Sequence, residues 1–185
     1  MAHDLTGKTV AFLATEGVEQ VELTGPWDVL KGAGATVHLV SPDDGKVQAF
    51  NHLDKADTFA VDRPVAEANP GTYDALVLPG GVANPDALRM DDDAVAFVKG
   101  FVDAGKVVAS ICHAPWSLIE ADAVKGRTIT SWPSLRTDLR NAGAEWVDQE
   151  VVVCPKGAGQ LISSRKPDDV PAFADAIVKA LAEAD

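Results

Sequence analysis

Cysteine is scarce in this sequence: Cys112 and Cys154 are the two in 185 residues, with no CxxC pair and no Cys/His cluster. That excludes a disulfide framework and a zinc site built on thiolates, suits a reducing compartment, and leaves no expectation of a metal or cofactor. Long apolar runs are missing too. No stretch approaches the ~18 uncharged residues of a membrane span, and Met1-Ala2-His3-Asp4-Leu5 has no basic region leading into an apolar leader, so a cytoplasmic protein without a membrane partner is expected. Basic residues are outnumbered, 16 against 28 acidic, and the formal charge of -12 repels phosphate backbones and anionic lipid, which argues against nucleic acid as a partner. Low-complexity tracts and internal repeats are also missing. With 46% hydrophobic and 24% charged residues, the composition is that of one globular domain over residues 1–185.

What is present alternates strand and helix. Lys8–Ala14 reads as a first strand, and Glu19–Lys31 as an amphipathic helix burying Val21, Leu23, Trp27 and Leu30, kinked or restarted at Pro26 and ended by Gly32 and Gly34. Ala35–Val40 alternates into a second strand; Val47–Phe50 and Thr58–Val61 suit a short hairpin on the sheet edge. Tyr73–Leu78 is a buried strand running into the Pro79-Gly80-Gly81 turn, followed by a helix over Asp91–Ala104 with Val95, Val98, Phe101 and Val102 inward. After the central strand at Val107 come a short helix over Pro115–Ala123, an extended Arg127–Thr130 and a helix over Leu135–Ala142. Closing strands at Glu145–Cys154 and Gln160–Ser163 precede a terminal helix, Pro167–Ala184, with Asp168 and Asp169 near its positive end. Strand-helix-strand order implies right-handed crossovers and a mostly parallel sheet in a three-layer α/β sandwich.

The chain is organised around Val107-Val108-Ala109-Ser110-Ile111-Cys112-His113-Ala114-Pro115-Trp116. An uncharged buried strand ends at a thiol, and a helix begins at once, with small Ser110 and Ala114 on either side as in a nucleophile elbow. Such a turn presents Cys112 at the carboxyl end of the sheet, where open α/β folds bind ligands, although free cysteines are also common in cores. A helix start beyond the sulfur would favour the thiolate, and His113 is placed to take or return a proton. Gly81 and His113 backbone N–H groups would make an oxyanion hole. Glu16, Glu19 and Glu22 after the first strand suit a solvated acidic helix start, or else place a desolvated carboxylic acid near the sulfur. His38 sits mid-strand, and His3 and His52 in segments with no evident role.

Taken in order, these segments resemble the PfpI intracellular-protease family, within the superfamily of the Parkinson-associated protein deglycase and class I glutamine amidotransferases. The resemblance rests on Glu19-Gln20-Val21-Glu22-Leu23 with Pro26, Ala75–Gly81, Ala109–Pro115, Thr130-Ser131-Trp132-Pro133, Asn141–Asp148 and Ser163-Ser164-Arg165 with Pro167. It implies a flavodoxin-like fold, Cys112 as nucleophile, His113 as its acid-base partner and Glu22 as the carboxyl group touching the sulfur. It also implies a homodimer in which an acidic residue just beyond the Pro-Gly-Gly turn of the neighbouring subunit orients the histidine. Asp86 holds that place here, where the family commonly has glutamate. Residues Gln48–Asp62 match the family poorly, and Cys154 has no family role.

Three functions fit. The first is a stress-related cysteine hydrolase that cleaves peptide or amide bonds through an acyl-enzyme on Cys112. The second is glyoxalase or deglycase chemistry, with Cys112 adding to an aldehyde such as methylglyoxal and Glu22 or His113 moving the proton. The third is a redox-sensing stress protein or chaperone whose Cys112 is oxidised rather than turned over. The partner is accordingly a small molecule or a peptide.

Overall fold

The computed structural model describes residues 3–184; Met1 and Ala2, read above for a leader, and Asp185 lie outside them. The chain runs β1 (Thr9–Leu13), β2 (Val18–Glu19), α1 (Gln20–Gly32), β3 (Thr36–Ser41), β4 (Lys46–Asn51), β5 (Asp54–Ala60), β6 (Arg63–Pro64), β7 (Ala75–Leu78), α2 (Ala83–Leu88) and α3 (Asp92–Asp103). It continues with β8 (Val107–Ile111), α4 (Pro115–Glu120), β9 (Thr128–Ile129), α5 (Arg136–Asn141), β10 (Glu145–Trp146), β11 (Val151–Cys154), β12 (Leu161–Ser164) and α6 (Val170–Glu183).

Every residue of β7 and β8 is buried, which is why these strands are uninterrupted apolar or small runs. They belong to a seven-stranded sheet of order β11-β12-β8-β7-β1-β3-β6, parallel throughout except for the antiparallel pair β11 and β12. Alternation along β1 divides the core. Val10 and Phe12 pack with Leu23 and Leu30 of α1 and Phe173 and Ile177 of α6. Ala11 and Leu13 share the opposite cluster with Phe97 and Phe101 of α3, Leu118 of α4 and Leu139 of α5. The result is the expected sandwich of helices on both faces of a mostly parallel sheet. From β1 the chain pairs with β3 on one side and β7 on the other. The connections therefore diverge beside β1 and open a crevice at the carboxyl strand ends.

Several local expectations change. The β4–β5 hairpin forms, but with β2 in a separate three-stranded sheet rather than on the main sheet's edge. Its anchors lie at the start of α1: Gln20 Nε2 donates to Asp57 Oδ2 (2.9 Å), and Gln20 Oε1 accepts from the Asp57 N–H (2.8 Å). The stretch from Glu145 is two strands. Its first two residues pair with β9, and β11 pairs with β12 beyond the polar Asp148-Gln149-Glu150 break. Helix α1 continues through Pro26, and Val21 points outward at 39% exposure while Glu22 takes a fully buried place. Asp169 is buried too, paired by Arg165 Nε at 2.8 Å rather than solvated, and the terminal helix starts after a 3-10 turn at Pro167–Asp169. The six-residue helix Ala83–Leu88 has no counterpart in the sequence pattern. Among the described residues no helix is long and apolar enough to cross a membrane.

Candidate active site

Cys112 leaves β8 with φ +65°, left-handed backbone that a non-glycine residue adopts at a cost of roughly 1–3 kcal/mol. Backbone partners on both sides hold it there. Its N–H donates to the Ser164 carbonyl (3.2 Å), and its carbonyl accepts from the Trp132 N–H (3.0 Å). Ser110 and Ala114, small as the turn requires, are buried beside it, and Cys112 itself is 6% exposed.

The Pro-Gly-Gly turn after β7 lies against this elbow, and both glycines are sterically required. A Cβ on Gly80 would come within 2.6 Å of Glu22 Oε2, 2.7 Å of Cys112 Cβ and 2.8 Å of the Ile111 carbonyl. Gly81 has φ +78°, and a Cβ there would strike the Gly17 carbonyl and the Glu19 nitrogen. The absence of side chains lets the Gly80 N–H donate to Glu22 Oε2 at 2.9 Å. It also brings the Gly81 N–H close enough to the sulfur to favour its anion, as the His113 N–H does. These are the two donors expected of an oxyanion hole. Asn84 of α2 braces the turn by donating to the Pro79 and Gly80 carbonyls, both at 3.0 Å.

Glu22 resolves the choice between solvated and desolvated carboxyl groups: it is fully buried, whereas Glu16 is exposed. Burial raises its pKa to about 8, against the opposing pull of the Gly80 N–H. Its second oxygen, Oε1, is buried without a hydrogen-bond partner, and the neighbouring Cys112 thiol, like the Gly80 N–H, works against burial by favouring the carboxylate. Contrary to the expectation of a favoured thiolate, burial pushes the Cys112 thiol up, outweighing the Gly81 and His113 N–H groups that favour the anion. Negative charge on Glu22 pushes it further. Below about pH 8 Glu22 keeps its proton, and that repulsion is absent.

His113 Nδ1 lies 3.1 Å from Cys112 Sγ. Its ring stacks on Trp132, with centroids 5.7 Å apart, and packs against Trp116 at 5.2 Å. Burial lowers its pKa, which favours the neutral imidazole and leaves a ring nitrogen free to accept a proton. Nε2 has Ser134 Oγ at 3.4 Å, at the long end of hydrogen bonding.

These groups open into a cleft of about 590 Å³. Asp86, on α2, also lines it but is exposed and makes no hydrogen bond to His113 within the chain. Glu19 lies in the wall, 7% exposed, and its Oε2 accepts the His52 N–H at 3.0 Å. Phe50, His52 and Leu53 from the β4–β5 hairpin complete one side. Composition gave no sign of them, because the hairpin's placement depends on its long-range pairing with β2. Trp132 and Pro167, quoted in the resemblance without a role, line the cleft as well. His38 is elsewhere, beside Tyr73, while His3 is exposed and outside the cleft. Cys154 is buried, with the Thr128 N–H at 3.4 Å from its sulfur. Among the described residues no group of three or more His, Cys, Asp or Glu side chains is arranged to hold a metal ion.

The profile of the DJ-1/PfpI family matches residues 8–180. Over 166 residues, 90% of this chain and 93% of the relative, the sequence is 42% identical to protein/nucleic acid deglycase 2 of Escherichia coli (strain K12). It is 39% identical over 166 residues, 90% of this chain and 94% of the relative, to the putative cysteine protease YraA of Bacillus subtilis (strain 168). The crystal structure of Drosophila melanogaster DJ-1beta superposes with a TM-score of 0.83 at 28% identity, covering 95% of this chain and 90% of that one.

Proposed function

The chain belongs to the DJ-1/PfpI family, and from that premise we propose that it is a cysteine-dependent enzyme of aldehyde chemistry, of the glyoxalase or deglycase kind, acting through Cys112. The observation that carries this reading is the buried Glu22 carboxyl group, which holds its proton up to about pH 8 beside the sulfur. An acyl-enzyme hydrolysis needs one acid-base group at the nucleophile. Moving a hydrogen between adjacent carbons of a 2-oxoaldehyde needs two, an acid and a base acting together.

His113 Nδ1 takes the thiol proton, Cys112 Sγ bonds to the aldehyde carbon, and the proton passes to the oxygen to give a hemithioacetal. Neutral His113 then removes the hydrogen on that carbon as a proton, while Glu22 protonates the neighbouring carbonyl oxygen, leaving an enediol. Return of the proton from His113 to the second carbon, with Glu22 recovering one from the first hydroxyl, gives a thioester. Water adds to the thioester carbon and the sulfur leaves with a proton. Methylglyoxal plus water becomes lactate and one proton, and both side chains regain their starting states. The deglycase name of the Escherichia coli relative supports this reading.

Amide hydrolysis is the second reading, favoured by the Gly81 and His113 N–H groups that converge at the sulfur. In either case His113 lacks a carboxylate orienter within its own chain, and we assign that role to Asp86 of a second copy in a homodimer. The test is lactate formation from methylglyoxal: the native protein produces it, Cys112→Ala does not, and Glu22→Gln does so at least ~100-fold more slowly. Peptide cleavage without lactate would move the assignment to the hydrolase.

A further inference from the structure

The cleft is larger and more apolar than a three-carbon aldehyde requires. Its volume of about 590 Å³ lies in the range of pockets that enclose drug-sized ligands. The reacting groups, Glu22, Gly81, Cys112 and His113, form only part of its lining. Much of the remainder is Phe50, Leu53, Val82, Trp132 and Pro167. In the single chain three of these are large apolar side chains with exposed surface: Leu53 at 93%, Val82 at 56% and Trp132 at 38%. Exposed apolar surface continuous with a reactive thiol marks a place where a ligand's own apolar surface is buried.

Leu53 is carried by a tip with a built position. His52, just before it, has φ +58°, and its N–H is held by the buried Glu19 carboxylate at 3.0 Å. The Gly17 N–H donates to the Gln48 carbonyl (3.0 Å), and Gln20 and Asp57 join the hairpin to the start of α1. The tip is therefore fixed to the first turn of α1, the helix that carries Glu22.

We propose that the hairpin tip is a substrate-selecting wall, with Leu53 as its contact residue, and that it selects carbonyl compounds carrying an apolar or aromatic group on the carbon next to the reacting carbonyl. The proposal deepens the aldehyde reading and rests on it for turnover, although the subsite can be read without turnover. Burying a phenyl ring rather than a methyl group against Leu53 and Phe50 removes more apolar surface from water and so favours the larger substrate.

Two measurements on the full chain separate the possibilities. The first compares kcat/KM for phenylglyoxal and methylglyoxal in the native protein, Leu53→Ser and, as a surface control outside the cleft, Met90→Ser, whose parent side chain is 82% exposed. The second compares alkylation of Cys112 by 2-bromoacetophenone and bromoacetone, with each rate divided by that of free N-acetylcysteine and adduct formation followed by intact mass. In that reaction Sγ bonds to the methylene carbon and bromide leaves. The native protein and Met90→Ser should prefer the phenyl reagent at least tenfold in both measurements, and Leu53→Ser should lose most of that preference. Phenyl preference in alkylation with no aldehyde turnover would overturn the aldehyde reading and leave the subsite standing. Turnover of methylglyoxal with no phenyl preference in either measurement, or a preference unchanged in Leu53→Ser, would overturn the subsite.

Discussion

A buried carboxylic acid beside a thiol makes Glu22 measurable in two ways. Its pKa rises from an ordinary carboxyl value to about 8 on folding, so between about pH 4.5 and 8 the folded chain keeps a proton that the unfolded chain has lost. Stability from this group is fully present below about pH 4.5 and declines as pH rises through that window, by at most about 1.4 kcal/mol per unit. Denaturant unfolding at pH 5, 6.5 and 8 should therefore show Glu22→Gln gaining on the native protein as pH rises; a constant difference would mean that Glu22 is ionised in the fold. The same variant should lower lactate formation by at least ~100-fold while Cys112 still reacts with iodoacetamide, because glutamine donates a hydrogen bond but carries no transferable proton. Cys112 and His113 were legible in the sequence because a strand, a thiol and a helix start occupy consecutive positions. Glu22 was ambiguous, because three glutamates follow the first strand and only the three-dimensional course of α1 separates the buried one from exposed Glu16 and wall-forming Glu19.

Among the elements, the turn after β7 is the least tolerant of change. Gly80→Ala pushes a methyl group into Glu22, Cys112 and the Ile111 carbonyl together, and should cost roughly 1–3 kcal/mol in stability and most of the activity. Gly32→Ala, at the end of α1 where a Cβ meets nothing within 4 Å, should keep native activity. Equal activity of the two variants would contradict the packing described. At the start of α3, Asp91 Oδ1 accepts the Ala94 N–H at 2.8 Å, so Asp91→Ala should lower unfolding free energy by about 1 kcal/mol without affecting turnover. The buried strands and longer helices could be read from periodicity, since their faces are set by local alternation. Short α2 could not, because its place depends on Asn84 reaching the Pro79 and Gly80 carbonyls while its own Oδ1 accepts the Thr15 N–H at 2.8 Å. The hairpin's partner escaped for a related reason: β2 is two residues long and carries no pattern of its own.

For the whole molecule, the sheet order brings the carboxyl ends of β1, β7 and β8 to one edge, where the first turn of α1 supplies Glu22 and the turns after β7 and β8 supply Gly81 and Cys112. Alternating strands and helices made that architecture legible, while cleft size and lining emerge only when distant segments meet. If Asp86 of a second copy orients His113, Asp86→Asn should be weakly active and Cys112→Ala inactive, yet mixing the two after dissociation and reassociation should restore activity, because one site of the mixed dimer is then complete. No gain on mixing would place the orienter elsewhere. The central claim, that Cys112 carries aldehyde chemistry, is tested most directly by incubating the reduced native protein and Cys112→Ala separately with methylglyoxal and with a panel of fluorogenic peptides. Methylglyoxal loss matched by lactate, present in the native protein and abolished in Cys112→Ala, is the predicted result; Cys112-dependent peptide cleavage without aldehyde loss, or no turnover in either assay, would contradict it.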